Sequence, residues 1–461
     1  MKFYNRKEEI AALKKAFQKS PSLSIVRGRR RVGKTTLLLK ALEETGGIYL
    51  YVDPKKAEKA LLAEFEEVLK KELNLQDYIR VESWKIFYDI IFSHKKHVVI
   101  DEFQRLYDAS PSAIYQLQDY WDRKGSKSEI SLVLSGSNVG MMKKIFIEQK
   151  APLFKRATYD FFLKPLSFAD CRQMAGDIGI TNIEEQIRLY AIFGGIPYYY
   201  ALLGKEKVEN WKDAVKTLLL NQFSPLKTEV RDTMVESFGK NHASYYAVIN
   251  AIALGKATKK EISDFAGIRE TSIYPYLYDL EELVDIIQYE VPITEKKEWK
   301  TRRGRFVLND NFFRFWFRFI FRNMSYYEEG NYGYLLGRIS GEFESYVGAA
   351  FEQVARGFMV KMNESGKLPA NFPKIGRWWN RKGDEIDLVL LSEEEDAIML
   401  VECKWAKDVQ AGTVLNSLKE KEKLMEHRKK NIYYASIARG FSSKCEGIIC
   451  FDINDLDRLL R

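Results

Sequence analysis

At 461 residues, with 46% hydrophobic side chains including 28 Phe and 26 Tyr, the chain holds more apolar material than one ordinary core uses, which excludes a disordered chain and calls for two to four domains. A formal charge of +9 admits a polyanionic partner without establishing one. Four Cys (Cys171, Cys403, Cys445, Cys450) and four His stand at neither zinc-ligand nor disulfide-framework spacing, so a reducing, cytoplasmic setting is expected.

The start, MKFYNRKEEI, is charged and lacks an apolar run, so no secretory signal is expected. Residues 5–17 carry apolar side chains at helical spacing. Strand-like runs then alternate with helical runs: Leu23–Arg27, Gly47–Val52, His97–Asp101, Ser131–Ser135 and Thr158–Leu163. Such alternation predicts an α/β fold with a parallel sheet covered by helices.

Between the first strand and the next helix lies GRRRVGKT, which fits G-x-x-x-x-G-K-[ST] in full. The candidate phosphate-binding stretch spans Gly28, Arg29, Arg30, Arg31, Val32, Gly33, Lys34, Thr35 and Thr36. Glycines let the backbone approach the phosphates, and the following helix presents its positive end. Lys34 is expected to reach the β- and γ-phosphates and the Thr35 hydroxyl to sit on Mg²⁺. Phosphate cradling leaves the three arginines unexplained. They are free to face a neighbouring domain or a second protomer, so a homo-oligomer stays open.

The third strand closes in Asp101-Glu102, an apolar strand ending in acids. Asp101 is a candidate Mg²⁺ holder opposite Thr35, and Glu102 a candidate to polarise the attacking water. The fourth strand ends in Ser135-Gly136-Ser137-Asn138, which fits a γ-phosphate sensor or plain turn chemistry. Arg156 fits an arginine finger or a surface cation.

FYNRKEEI, GRRRVGKT, VVIDEF, LVLSGSN, PLFKRAT and FGGIPYYY, in this order, resemble the archaeal-type ATPase family of prokaryotes, itself similar to the AAA+ and STAND groups. The resemblance implies ATP as ligand and a strand inserted between the P-loop strand and the acid-ended strand. No Asn-Lys-x-Asp guanine motif is present. It also implies a place near the adenine for Gly195 and Pro197. Read locally, Gly194-Gly195-Ile196-Pro197 ends one helix and opens the next.

Helical runs fill 166–235, a candidate lid. His242–Ala253, Lys259–Phe265 and Glu270–Leu283, followed by extended runs Val284–Val291 and Arg305–Leu308, give the order of a winged helix-turn-helix. The wing, Glu295–Arg305, is basic and fits DNA phosphate contacts or a solvated hairpin tip. Phe312–Phe321 (FFRFWFRFIF) is ten residues with two Arg. It is too short to span a bilayer, so stable membrane insertion is not expected. An aromatic helix packed between domains is the reading, a membrane-surface helix its alternative.

After a linker expected at Tyr326–Tyr334 comes a long helix, Gly341–Lys361. Strands Ile375–Trp379, Glu385–Leu391 and Ile398–Lys404, a helix Gly412–His427 and two further strands follow. This is the order of a restriction-endonuclease-like core, and its blocks also resemble the PD-(D/E)xK, DUF234-type domain usually attached to this ATPase family. Asp387, Glu402 and Lys404 are the candidate catalytic residues, with Glu352, Asp387 and Glu402 the candidate metal ligands. Ile386 stands where the motif's name has Pro. The expected domains are 1–165 P-loop ATPase, 166–235 lid, 236–325 winged helix and 326–461 nuclease-like.

Overall fold

The computed structural model describes residues 2–94, 96–295, 303–425, 427 and 429–460. They form two compact units: Met1–Pro165 with Arg231–Ala243 and Glu282–Val284, and Leu166–Val230 with Ser244–Glu281 and Asp285–Arg461.

The first unit is built on a five-stranded sheet of β1 (Ser22–Arg27), β2 (Ile48–Tyr51), β3 (His97–Asp101), β4 (Ser131–Gly136) and β5 (Tyr159–Phe162), ordered β2-β3-β4-β1-β5. Every pairing is parallel. β4 lies between β1 and β3, as the resemblance implied. β1, β3 and β4 are buried at nearly every position, Ser24 and Ser135 included, as strands covered on both sheet faces are. Leu23, Val98, Ile100, Leu132 and Leu134 anchor the main core on one face, together with Phe65, Trp84, Phe87 and Tyr88 from the helices Glu58–Leu73 and Trp84–Ser93. The strand ends Arg27, Asp101 and Gly136 all emerge at the carboxyl edge, where ligands of parallel sheets collect.

The second unit opens on helices Phe168–Asp177, Ile183–Phe193, Pro197–Lys205 and Trp211–Leu218. A Ser167–Asp170 capping box starts the first, and Asn182 and Asn210 side chains cap the second and fourth. Helices His242–Ala253 and Lys259–Ala266 follow, then a two-stranded antiparallel pair, β6 (Ile287–Glu290) and β7 (Arg305–Leu308). The single helix expected over Glu270–Leu283 is instead three short turns, Glu270–Ser272, Tyr274–Tyr278 and a π-helical Asp279–Leu283. Pro275 lacks an N–H and sits in the first turn of the middle one, so no longer helix runs through it. Most of the basic wing, residues 296–302, lies outside the described residues.

Phe312–Phe321 is core. Phe312, Phe313, Phe315 and Phe317 are fully buried in two helical turns, Asn311–Phe315 and Trp316–Ile320. Each such side chain contributes about 1.5–3 kcal/mol of burial. The surface-helix alternative is thereby removed, because the rings that would enter a bilayer are already packed. Among the described residues no helix is long and apolar enough to cross a membrane. The linker expected at Tyr326–Tyr334 is a correction too. Met324–Glu328 is helical, the long helix begins at Tyr332 and runs to Glu364, and buried Tyr327 donates its hydroxyl to the Leu219 carbonyl at 3.0 Å.

The unit ends in a mixed sheet of β8 (Lys374–Trp379), β9 (Glu385–Ser392), β10 (Ala397–Lys404) and the strands Asn431–Ala438 and Ile449–Phe451. β8, β9 and β10 pair antiparallel, Asn431–Ala438 joins β10 in parallel, and Ile449–Phe451 joins Asn431–Ala438 in parallel. The helix Ala411–Lys423 covers one face through Val414, Leu415 and Leu418.

Candidate nucleotide site and a carboxylate cluster

The loop after β1 folds back on the start of the helix Lys34–Thr45. Gly28 has φ 152°, and a Cβ there would meet the Leu163 carbonyl oxygen at 2.6 Å, so the loop's entry admits only glycine. Lys34 is buried and donates its Nζ to the Gly28 and Arg29 carbonyls at 2.8 and 3.0 Å. Burial pushes its pKa down, while Glu102, Asp101 and Glu236 pull the other way. Arg29 is 3% exposed, Arg30 reaches out of the loop, and Arg31 takes φ 68°.

Asp101, fully buried at the end of β3, meets the loop directly. Its Oδ2 accepts the Thr35 hydroxyl at 2.6 Å and the Tyr49 hydroxyl at 2.9 Å. Burial and the Asp101 charge both push the Tyr49 pKa up, keeping it a proton donor. Tyr49 escaped the sequence reading. Its signal was a polar-tipped ring alternating with buried Ile48 and Leu50, on the strand that pairs with β3.

Glu102 takes a left-handed φ of 55°. A non-glycine residue held there marks strain that the surroundings enforce. Its Oε2 accepts Gln104 Nε2 at 2.6 Å and Arg105 Nε at 3.1 Å, and both its oxygens lie 3.2 Å from the Ser137 hydroxyl. Ser137 and Asn138, at the end of β4, also meet the helix Glu229–Phe238 through Glu236. Sequence reasoning missed Glu236, and no local pattern marks it. Arg156 is engaged elsewhere in the unit. Its Nε and Nη2 bond Asp122 at 2.7 and 2.8 Å, and Nη1 donates to the Pro152 and Phe154 carbonyls.

In the second unit, Gly195 is where two backbones touch. A Cβ on it would lie 2.0 Å from the Leu166 carbonyl oxygen, and its own carbonyl accepts the Leu166 N–H at 2.7 Å. Pro197 opens the helix Pro197–Lys205. Packing and helix initiation therefore account for both residues locally.

The C-terminal candidates come together on adjacent strands. Asp387 Oδ2 accepts the Cys403 N–H at 2.8 Å, which ties β9 to β10. Glu402 and Lys404 project from one face, their side chains bonded at 2.6 Å. The second Glu402 oxygen accepts Lys421 Nζ at 2.9 Å. Lys421 was not among the sequence candidates, though it stands three residues after Leu418, on the sheet-facing side of its helix. Glu352, from the long helix, pairs with Arg377 of β8, which also lies 3.8 Å from Glu290. Burial raises the Asp387 pKa, with Glu402 adding to it. Burial pushes Glu352 up to about 7, its Arg377 partner offsetting that in part. Burial would lower the Lys404 pKa, but Glu402 outweighs it and the net direction is up. Cys403 is buried and its thiol pushed up, which makes it filler.

The two sites differ in fitness for a cation. Thr35 and Asp101 offer hard oxygens converging on one point, as Mg²⁺ requires. At the C-terminal cluster Glu402 is saturated by two ammonium groups and Glu352 by a guanidinium. Among the described residues no group of three His, Cys, Asp or Glu side chains is placed to hold a metal ion. As placed, Glu352 and Glu402 each face a cation of the chain itself rather than converging on one another.

Two stretches of the chain match known family models. Residues 3–203 match a family model described as an ATPase domain predominantly from Archaea. Residues 316–432 match one described as archaeal and bacterial proteins of unknown function. The chain is 33% identical over 457 residues to an uncharacterized protein of Methanocaldococcus jannaschii, a match covering 98% of this chain and 99% of that one. The solved structure of a Walker-type ATPase of Pyrococcus abyssi aligns with a TM-score of 0.51 at 18% identity, over 68% of this chain and 96% of that one, which shows a common fold.

Proposed function

We propose, for a chain that belongs to the archaeal-type P-loop ATPase family, that the loop Gly28–Thr35 binds ATP and that Glu102 directs water onto its γ-phosphate. One observation carries the reading: Thr35 Oγ1 and Asp101 Oδ2 converge at 2.6 Å beside Lys34, with Glu102 next in the chain. Lys34 places its charge among the loop carbonyls, where the phosphate oxygens arrive. Thr35 and Asp101 would hold Mg²⁺, which neutralises charge on the β- and γ-oxygens. Glu102 orients the attacking water and takes up its proton on a carboxylate oxygen. Ser137 and Asn138 stand at the strand end where a γ-phosphate is sensed. Phosphate release from ATP by the wild type, lost with nucleotide binding in Lys34→Ala, tests the assignment. Glu102→Gln should bind ATP yet turn it over slowly. Hydrolysis unaffected by Lys34→Ala overturns it.

For the second unit the best-supported reading is a nucleotide-controlled module that binds DNA without cutting it, on a winged-helix and restriction-endonuclease-like scaffold. Its support is the strand order β8-β9-β10, the basic stretch Glu295–Arg305, and the ion pairs that hold Glu402. Metal-dependent cleavage at Asp387, Glu402 and Lys404 is the second reading, favoured by the 2.6 Å approach of Lys404 to Glu402. Incubation with Mg²⁺ or Mn²⁺ and several DNA and RNA forms separates them. Cleavage that disappears in Lys404→Ala establishes the second. Salt-sensitive, ATP-dependent DNA binding that survives Asp387→Ala establishes the first.

A further inference from the structure

Glu236 reaches the candidate catalytic centre from a helix far along the chain. Its Oε2 lies 3.0 Å from Arg30 Nη1 of the phosphate-binding loop, and its Oε1 lies 3.2 Å from the Ser137 hydroxyl. Its carbonyl oxygen accepts Asn138 Nδ2 at 2.7 Å, which fixes the helix end against the end of β4. The Ser137 hydroxyl is at the same time 3.2 Å from both oxygens of Glu102. Glu102 and Glu236 thus stand on either side of one hydroxyl.

A hydroxyl has one proton to donate. Ser137 serves Glu102 or Glu236, and the other carboxylate goes without that bond. Which one wins depends on what else each carboxylate has. Glu102 keeps Gln104 and Arg105 in either case. Glu236 has Arg30, a loop side chain that a bound triphosphate offers a competing anion. The residues around the junction, Gln104, Arg105, Asn138 and Glu236, line a cavity of about 530 Å³, so water has room there.

We propose that Glu236 is a positioning residue that couples occupancy of the phosphate loop to the state of Glu102, by exchanging Arg30 for the Ser137 proton. When phosphate draws Arg30 away, the Glu236 carboxylate loses its cation and takes the Ser137 hydroxyl. Glu102 then loses one donor, and its oxygen becomes a better acceptor for the proton of the attacking water. No bond other than hydrogen bonds changes in this step. The mechanism rests on the reading of Gly28–Thr35 as an ATP loop and gives Arg30 a function that phosphate cradling does not.

The test is a KM-against-kcat split on the full-length protein. Glu236→Gln frees Arg30 for phosphate and removes the competing anion, so KM for ATP falls severalfold and kcat falls about tenfold, a pattern a merely structural role does not produce. In a Ser137→Ala background the same substitution leaves kcat where it is, while the fall in KM remains. Glu236→Asp, which keeps the charge on a shorter stem, is the second variant should the glutamine form fail to fold. Its kcat lies between those of the wild type and the glutamine form. A rise in KM together with a fall in kcat, no change in either, or additive effects of Glu236→Gln and Ser137→Ala on kcat overturns the proposal. If Lys34→Ala abolishes hydrolysis while Glu236→Gln is silent, the coupling alone fails. If the wild type hydrolyses no ATP, the ATPase reading fails with it.

Discussion

The Thr35 hydroxyl donates to Asp101 Oδ2 at 2.6 Å, joining two residues 66 positions apart in the chain. The bond sets the loop against the end of β3. Thr35→Ser should keep it, whereas Thr35→Ala and Asp101→Asn should each lower kcat/KM for ATP by about 10²-fold, the order of loss seen when one charge-stabilising group is removed. Steady-state phosphate release at fixed Mg²⁺ decides it, and equal rates in Thr35→Ser and Thr35→Ala would contradict the assignment.

Tyr49 shares that Oδ2 atom. Tyr49→Phe removes one of its two donors and leaves the ring packed. The expected result is a two- to tenfold shift in the Mg²⁺ concentration for half-maximal turnover, from a charge-assisted bond of about 1.5–3 kcal/mol that is only partly lost to water. A Mg²⁺ titration of both proteins reads it, and superimposable curves would exclude Tyr49 from the site.

Gly195 separates packing from ligand binding. Gly195→Ala puts a methyl group 2.0 Å from the Leu166 carbonyl oxygen. Backbone must shift, at a cost on the order of 3 kcal/mol. The unfolding midpoint should drop equally with and without nucleotide. A variant of normal stability that has lost only ATP affinity would instead support the adenine role.

Glu352 carries a pH signature. Burial, Asp387 and Glu385 favour its neutral form, while Arg377 and Arg314 favour the charged one, and the balance lies at about 7. A carboxyl raised in the fold contributes stability that is complete at pH values below its ordinary range. That contribution is lost as pH rises through about 7, at no more than about 1.4 kcal/mol for each pH unit crossed. Urea midpoints of the wild type should therefore fall between about pH 5 and pH 8, and Glu352→Gln should flatten that slope. A steeper slope in the variant would show that the Arg377 pair dominates instead.

Where the sequence was legible, period and motif coincided. All five strands of the first sheet lie within two residues of their predicted ends, because each is a short, largely apolar run set between helical or turn-forming stretches. The loop and Asp101 were legible because phosphate chemistry restricts residue types at fixed spacing. Glu236 was not, since its meaning comes from contact with Ser137 across 99 positions. Tyr326–Tyr334 looked like a linker because Gly330 and Gly333 stand among polar residues. Burial of Tyr327 and the length of the Tyr332 helix overrode that composition. Lys421 was passed over because an amphipathic helix is expected to turn its lysines outward. Its long stem returns the charge to Glu402 instead.

The first compact unit is not one stretch of chain. It is assembled from Met1–Pro165, Arg231–Ala243 and Glu282–Val284. An expression fragment cut after Pro165 would retain the loop, Asp101 and Glu102 but lack Glu236 and the backbone of Glu282, whose carbonyl accepts Arg27 Nη1 at 3.3 Å. For biochemists the smallest faithful specimen of the ATPase is therefore larger than its motifs suggest. For evolution, residues 231–243 cannot be exchanged as a cassette without altering the contacts that Ser137 and Asn138 make at the carboxyl edge of the sheet.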